Sequence, residues 1–178
     1  MTGSDRTRRF EAAVLPHLDA AYNLARWLLR DEQSARDVVQ EAYLRAFKFF
    51  DGFRGGDARP WLLGIVRNAC FDWLGDKSRD HVEFDEERDS GALDPALERA
   101  GNDPQHLLHR KLERAQVNAA IATLPPLFRE VLILRELEEL SYEEIALVAG
   151  IPVGTVMSRL SRARAMLRAA LTATGNKE

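Results

Sequence analysis

Four side chains on one helical face form the chain's clearest chemical group. Thr155, Ser158, Arg159 and Arg162 fall at i, i+3, i+4 and i+7. Hydroxyls and guanidiniums at that spacing can donate to base edges and phosphates when the second helix of a helix-turn-helix lies in a major groove. A helical hairpin with a solvated arginine face has the same pattern, so the segment alone leaves both readings open. A second group is acidic. Asp37, Gln40 and Glu41 project away from the apolar side of their helix, with Asp37 and Glu41 one turn apart. Like charges at that spacing slightly destabilise an isolated helix, so this face is either solvated or meant for a basic partner. A third group mixes Phe53, Trp61, Phe71 and Trp73 with Arg54, Arg59 and Arg67. Rings on which bases stack, beside guanidiniums for phosphates, suit a single-strand binding surface; core packing competes for the same rings.

Catalytic candidates are few. His106 and His109 lie three apart on a helix, yet no Cys, His or acidic pair stands nearby at ligand spacing. Cys70, between Ala69 and Phe71, suits a small buried residue better than a nucleophile. The glycine loop at 51–57 lacks the Lys-Ser/Thr ending of a phosphate-cradling loop, and no serine-hydrolase, zinc-protease or dinucleotide pattern occurs. The expectation is a non-enzyme without metal or cofactor.

The elements that must carry these groups are helical throughout. Phe10, Val14, Leu18, Tyr22, Ala25, Leu28 and Leu29 recur on one helical face, with Pro16 marking a kink or a true first turn. A second helix at 33–50 turns Ala35, Val38, Val39, Ala42, Tyr43, Ala46, Phe47 and Phe50 inward. A third, at 59–76, packs Trp61, Leu62, Ile65, Ala69 and Trp73 and leaves Arg67, Asn68 and Asp72 outside. Residues 77–104 lack sustained periodicity and read as a flexible linker with a transient helix at 95–100. Leu107, Leu108, Leu112, Ala115 and Val117 open the second half, and Leu124-Pro125-Pro126 breaks that helix. Leu127, Val131, Leu132, Leu134 and Leu137 should line the next core-facing side. Ser141 and Glu144 then have capping-box spacing, Gly150 is a left-handed stop, and Pro152 suits a first turn. Val153, Val156, Leu160, Ala163 and Leu167 should face inward from the last helix. The fold class is all-α: two small helical domains, 8–76 and 105–174, joined by a flexible acidic linker, 77–104. The C-terminal domain contains the helix-turn-helix.

Composition is compatible with this division. The chain has 178 residues, 46% hydrophobic and 30% charged, enough for one or two small cores. Its net charge of −3 hides segregation, because 80–103 holds nine acidic and two basic residues, a balance of −7 that leaves +4 elsewhere. A single cysteine fits a reducing compartment, and neither a secretory leader nor a spanning apolar run is visible. The expected location is the cytoplasm, without membrane insertion.

Taken together, the motifs resemble the extracytoplasmic-function (ECF) sigma factors of bacterial RNA polymerase. The carriers are DVVQEAYLRAFKFF, FRGGDARPWLLGIVRNACFDWL, LPPLFREVLILRELEELSYEEIA and GIPVGTVMSRLSRARAML, in that order. The resemblance implies that 8–76 is sigma region 2 and 105–174 is sigma region 4. It implies that Asp37, Gln40 and Glu41 bind the β′ clamp coiled coil of core polymerase. It implies that Phe53, Arg54, Gly55, Gly56, Asp57, Ala58 and Trp61, with Arg67, Asn68 and Asp72, recognise and melt the promoter −10 element. Extruding a base into such a site costs a few kcal/mol that pocket contacts must offset. Thr155, Ser158, Arg159 and Arg162 would read the −35 element, and the same domain would touch the β flap. An anti-sigma factor is the further implied partner. Met157 stands where many relatives carry Lys, which removes one phosphate contact from the expectation. In the family the linker threads toward the active-site cleft and RNA exit path, where acids at 80–103 could mimic nucleic acid. The rival class is a free-standing helix-turn-helix regulator, which has no need for the first two blocks.

Overall fold

The computed structural model describes residues 2–79 and 104–175, so the acidic segment at 80–103 and the short helix expected at 95–100 lie outside the described residues. Eight α-helices follow in order among the described residues: α1 Gly3–Val14, α2 Leu18–Leu29, α3 Glu32–Phe49, α4 Ala58–Arg79, α5 Pro104–Ala122, α6 Pro126–Glu136, α7 Tyr142–Ala149 and α8 Val153–Gly175. No strand occurs among the described residues. No single helix among them is long and apolar enough to cross a membrane.

Pro16 does interrupt the first pattern. It sits in a 3-10 turn, Leu15–His17, between α1 and α2, where the missing N–H costs no α-helical bond. Asp31 caps α3 by accepting from the Ser34 amide at 2.9 Å and its hydroxyl at 2.6 Å. Phe10 is fully buried where α1 meets α3. It contacts Tyr43, Phe47 and Phe50 edge to face, with ring centroids 5.0, 5.1 and 5.3 Å away.

The helix α4 has no single apolar side, because Leu63, Val66 and Cys70 are buried as well as Leu62 and Ala69. It packs against α2 and α3 and, from the other half of the chain, against α7. A second junction joins α2 to α6. The two helical sets therefore share one contiguous core, a contact the expectation of two linked domains does not contain. This contact also corrects Arg67, expected outside the packed side of its helix: it pairs with Glu130 of α6, and its side chain is 16% exposed.

In the second half, Leu127 and Leu137 are exposed rather than core-facing. Their places are taken by Ile133 and by two charged residues, Arg129 and Glu130, both buried. The capping box is formed: Ser141 Oγ accepts from the Glu144 amide and Glu144 Oε1 from the Ser141 amide, each at 3.1 Å. Gly150 ends α7 at φ 66°, the left-handed conformation in which a Cβ would be strained. From there α8 leaves at 97° to α7, within the range of helix-turn-helix motifs.

Candidate nucleic-acid and polymerase interfaces

Three faces hold the singled-out residues. The first is on α3, whose inward side is fixed by Ala35, Val38, Ala42 and Ala46 in the core. That orientation leaves Asp37, Gln40 and Glu41 exposed. It also exposes Leu44, 62% accessible and one turn beyond Gln40 and Glu41. A large apolar side chain in an acidic stripe is the one member that sequence reading missed. Period alone could have found it, since Asp37, Gln40, Glu41 and Leu44 stand at i, i+3, i+4 and i+7.

The second face is the loop before α4 and that helix's outer residues. Phe53 pins the loop, stacked on Phe50 at 6.0 Å and tilted against Trp61 at 5.0 Å. Gly55 and Gly56 follow at φ 88° and 84°, with no atom near where a Cβ would stand. Their role is conformational, since two consecutive left-handed residues exclude ordinary side chains. Asp57 accepts from the Arg59 amide at 2.9 Å and opens α4. Arg54 is exposed, whereas Ala58 is buried beneath the loop. Farther along, Asn68 and Asp72 are exposed, and Asp72 accepts from Arg45 at 3.2 Å. The same guanidinium holds Glu41 at 2.6 Å. Arg45 thus ties the acidic stripe to the α4 face.

The third face is α8. Val156, Leu160 and Ala163 are buried, which leaves Ser158 and Arg162 exposed and Thr155 half-buried. Arg159 is not free on this face. It turns toward Glu130 on α6, with Nη1 at 3.9 Å from the carboxylate.

Glu130 is the centre of a cluster not foreseen from the residue pattern. Arg67 from α4 donates to both of its oxygens, from Nε at 2.8 Å and from Nη2 at 3.1 Å. Its guanidinium also lies 4.1 Å over the Phe71 ring. Burial pushes the Glu130 carboxyl up; Arg67, and after it Arg159, pull it down. One sequence signal existed. Arg129-Glu130 stands within the apolar run of α6, and a charge buried in such a run needs a partner from elsewhere in the chain.

Nothing in these faces resembles a catalytic centre. Cys70 is buried, and no group of His, Cys, Asp or Glu able to hold a metal exists among the described residues. The side chains of His106 and His109 lie outside those described.

Comparison with known proteins accounts for both halves. The Sigma-70 region 2 family matches residues 13–80, and Sigma-70 region 4 matches 114–167. The chain is 36% identical over 168 residues to the RNA polymerase sigma-H factor of Pseudomonas aeruginosa, covering 92% of this chain and 86% of that one. It is 34% identical over 161 residues to the ECF RNA polymerase sigma factor SigE of Mycolicibacterium smegmatis, covering 89% of this chain but only 60% of SigE. To the ECF RNA polymerase sigma-E factor of Escherichia coli it is 38% identical over 136 residues, covering 72% and 69%. Among solved structures, the sigma factor RpoE in complex with the anti-sigma factor NepR from Bartonella quintana superposes with a TM-score of 0.72. That likeness has 29% identity and covers 93% of this chain and 98% of RpoE. CnrH in complex with the cytosolic domain of CnrY gives 0.64 at 28% identity, covering 94% and 90%. Two matched regions in this order, and relatives along most of the length, establish that the chain belongs to the ECF RNA polymerase sigma factors, promoter-directing subunits without catalytic activity of their own.

Proposed function

We propose that this sigma factor joins core RNA polymerase through α3 and holds promoters at two points, the −10 element with the α4 face and the −35 element with α8. The carrying observation is the exposed stripe of Asp37, Gln40, Glu41 and Leu44 on a helix whose inner side, Ala35, Val38, Ala42 and Ala46, is buried in the core. A free-standing regulator has no use for it, whereas a basic, partly apolar partner such as the β′ clamp coiled coil would complement it. The loop at 53–57 supplies the −10 pocket: Phe53 and Trp61 form its ring wall, and the left-handed turn at Gly55 and Gly56 shapes its rim. Arg67, Asn68 and Asp72 extend that contact along α4. On α8, Thr155, Ser158, Arg159 and Arg162 meet the major groove, while region 4 touches the β flap.

The modest basic stripe suits a subunit that binds DNA only as part of a larger enzyme, since polymerase supplies much of the phosphate contact. An anti-sigma factor is the expected regulator, because the RpoE and CnrH structures each contain a partner, the first named as an anti-sigma factor. The expected site of action is the bacterial cytoplasm. Mixing the full chain with core polymerase tests the assignment. Wild type should co-elute, and Asp37→Ala combined with Glu41→Ala should weaken association about tenfold or more without unfolding the chain. Tight duplex binding by the chain with no co-elution would favour the regulator instead.

A further inference from the structure

The ring wall assigned above to the −10 pocket rests on a run of aromatic contacts that begins on α1. Trp61 leans on Phe53 at 5.0 Å between centroids, and Phe53 stacks on Phe50 at 6.0 Å. Phe50 meets Phe10 of α1 edge to face at 5.3 Å, and Phe10 meets Phe47 of α3 at 5.1 Å. Arg6, one turn before Phe10, closes the run with its guanidinium 4.6 Å from the Phe47 ring centroid. Such contacts fix ring orientation as well as separation, and close packing transmits a shift of α1 to Trp61.

Arg6 also makes two directed bonds. Its Nη2 donates to the Phe47 carbonyl oxygen at 2.6 Å, and its Nε to Asp51 Oδ1 at 3.0 Å. The first acceptor lies in the last turn of α3, where carbonyls lack α-helical partners and the dipole favours a cation. The second lies in the 3-10 turn Phe50–Gly52, from which the pocket loop departs at Phe53. One guanidinium therefore ties α1 to the exit of α3 and to the start of the loop. The Asp51 side chain is 79% exposed, and ion pairs of that kind add little to stability. What the fork fixes is direction, because its donors are held in one plane. Arg6 and Phe10 precede residue 13, where the Sigma-70 region 2 match begins, so this support lies outside the matched pattern.

We infer that Arg6 is a positioning residue for the −10 pocket: through Phe47 and Asp51 it sets the angle at which Phe53 and Trp61 present their rings to single-stranded DNA. The inference rests on the −10 role proposed for the loop. Arg6 itself touches no base; it acts through backbone and rings. A stacking platform gains from rigidity, since a base that lands on a mobile wall must first order it. Loss of the brace costs affinity for the bases that enter the pocket and leaves contacts made elsewhere unchanged.

Holoenzyme assembled with the full chain tests this on a promoter that wild-type holoenzyme selects from a randomised duplex library. Two probes are made from it: the non-template single strand of its −10 region, and the same strand with abasic sites throughout that region. The abasic strand keeps its phosphates and loses the rings that stack. Wild type should prefer the intact strand at low salt. Arg6→Met keeps the stem without its donors and should cut that preference about tenfold, with abasic-strand and core-polymerase binding unchanged. Arg6→Lys should recover only part of it, because one ammonium cannot reproduce the fork. Asp51→Ala removes an exposed carboxylate without disturbing the core and should cut the preference roughly threefold, adding nothing further on Arg6→Met once that bond is gone. A wild-type preference in either Arg6→Met or Asp51→Ala, while Trp61→Ala loses it, overturns the brace. Equal weakening on the intact and abasic strands also overturns it, since that marks a general loss of structure. Unchanged preference in Trp61→Ala as well is the separate failure: it overturns the −10 reading of the loop, and the brace with it.

Discussion

Arg129 on α6 donates from Nη1 to the Trp27 carbonyl oxygen at 2.6 Å, across 102 residues of chain. Its other terminal nitrogen serves the Ala122 and Leu124 carbonyls at 3.2 and 2.7 Å. One buried cation thus satisfies the C-terminal end of α2 and the turn between α5 and α6, where the helix dipole also favours positive charge. Arg129→Met keeps most of the volume but leaves those acceptors unpaired, at about 1–3 kcal/mol for each group not rescued by water. Urea denaturation should show a loss of about 3 kcal/mol, and Arg129→Lys should recover less than half of it, because an ammonium cannot span both sets. An unchanged midpoint for Arg129→Met would mean that water replaces the guanidinium.

Leu44 separates binding from stability. Its side chain is exposed on the α3 stripe, so Leu44→Ala should leave the denaturation midpoint within about 0.5 kcal/mol. Core-polymerase affinity should fall several-fold, by roughly 1 kcal/mol, if Leu44 packs on the clamp. Titration of labelled chain with core polymerase reads the difference. Equal affinity for both chains would remove Leu44 from that surface.

The helix-turn-helix depends on local stops. With eight residues, α7 is too short to persist alone and relies on its caps and packing. Ser141→Ala removes one cap bond and should cost about 1 kcal/mol. Gly150→Ala forces a Cβ into the left-handed region and should cost roughly 1–2 kcal/mol. Thermal melts of the two variants and the pair should show near-additive losses. No loss for Gly150→Ala would mean that the turn can rebuild.

Cys70 has a defined pH signature. Burial, with the Glu130 charge adding, pushes its thiol from the ordinary 9 up to about 12. The folded chain keeps a proton that the unfolded chain releases, so this contribution to stability is complete below pH 9 and is lost as pH rises toward 12. At mildly alkaline pH an aromatic disulfide reagent should label native protein at least roughly a hundredfold more slowly than unfolded protein. Replacing Cys70 with Ala should flatten that part of the pH–stability curve. Rapid labelling of folded chain would place the thiol within reach of solvent.

Sequence by itself determined the local features of this protein, because their causes lie within a few residues. Asp31, Ser141 and Gly150 start and stop helices through bonds and dihedrals spanning at most four residues. The 3.6-residue period sends Val156, Leu160 and Ala163 inward and so turns Ser158 and Arg162 outward. The same period exposes Asp37, Gln40 and Glu41. Region assignment needed only these local patterns in their order.

Tertiary structure decided what the arginines touch. Arg67 and Arg159 carry the same helical period as their exposed neighbours, and nothing within a turn of either one distinguishes it. Their shared acceptor, Glu130, lies 63 residues from Arg67. It lies on α6, a helix whose apolar pattern pointed to Leu127 and Leu137 for the core; both are exposed. A periodic pattern specifies that a helix has a buried side, but not which distant helix covers it. For α4, covered by α2 and α3 on one flank and α7 on another, only packing in three dimensions brings Arg67, with Arg159 of α8, toward one carboxylate.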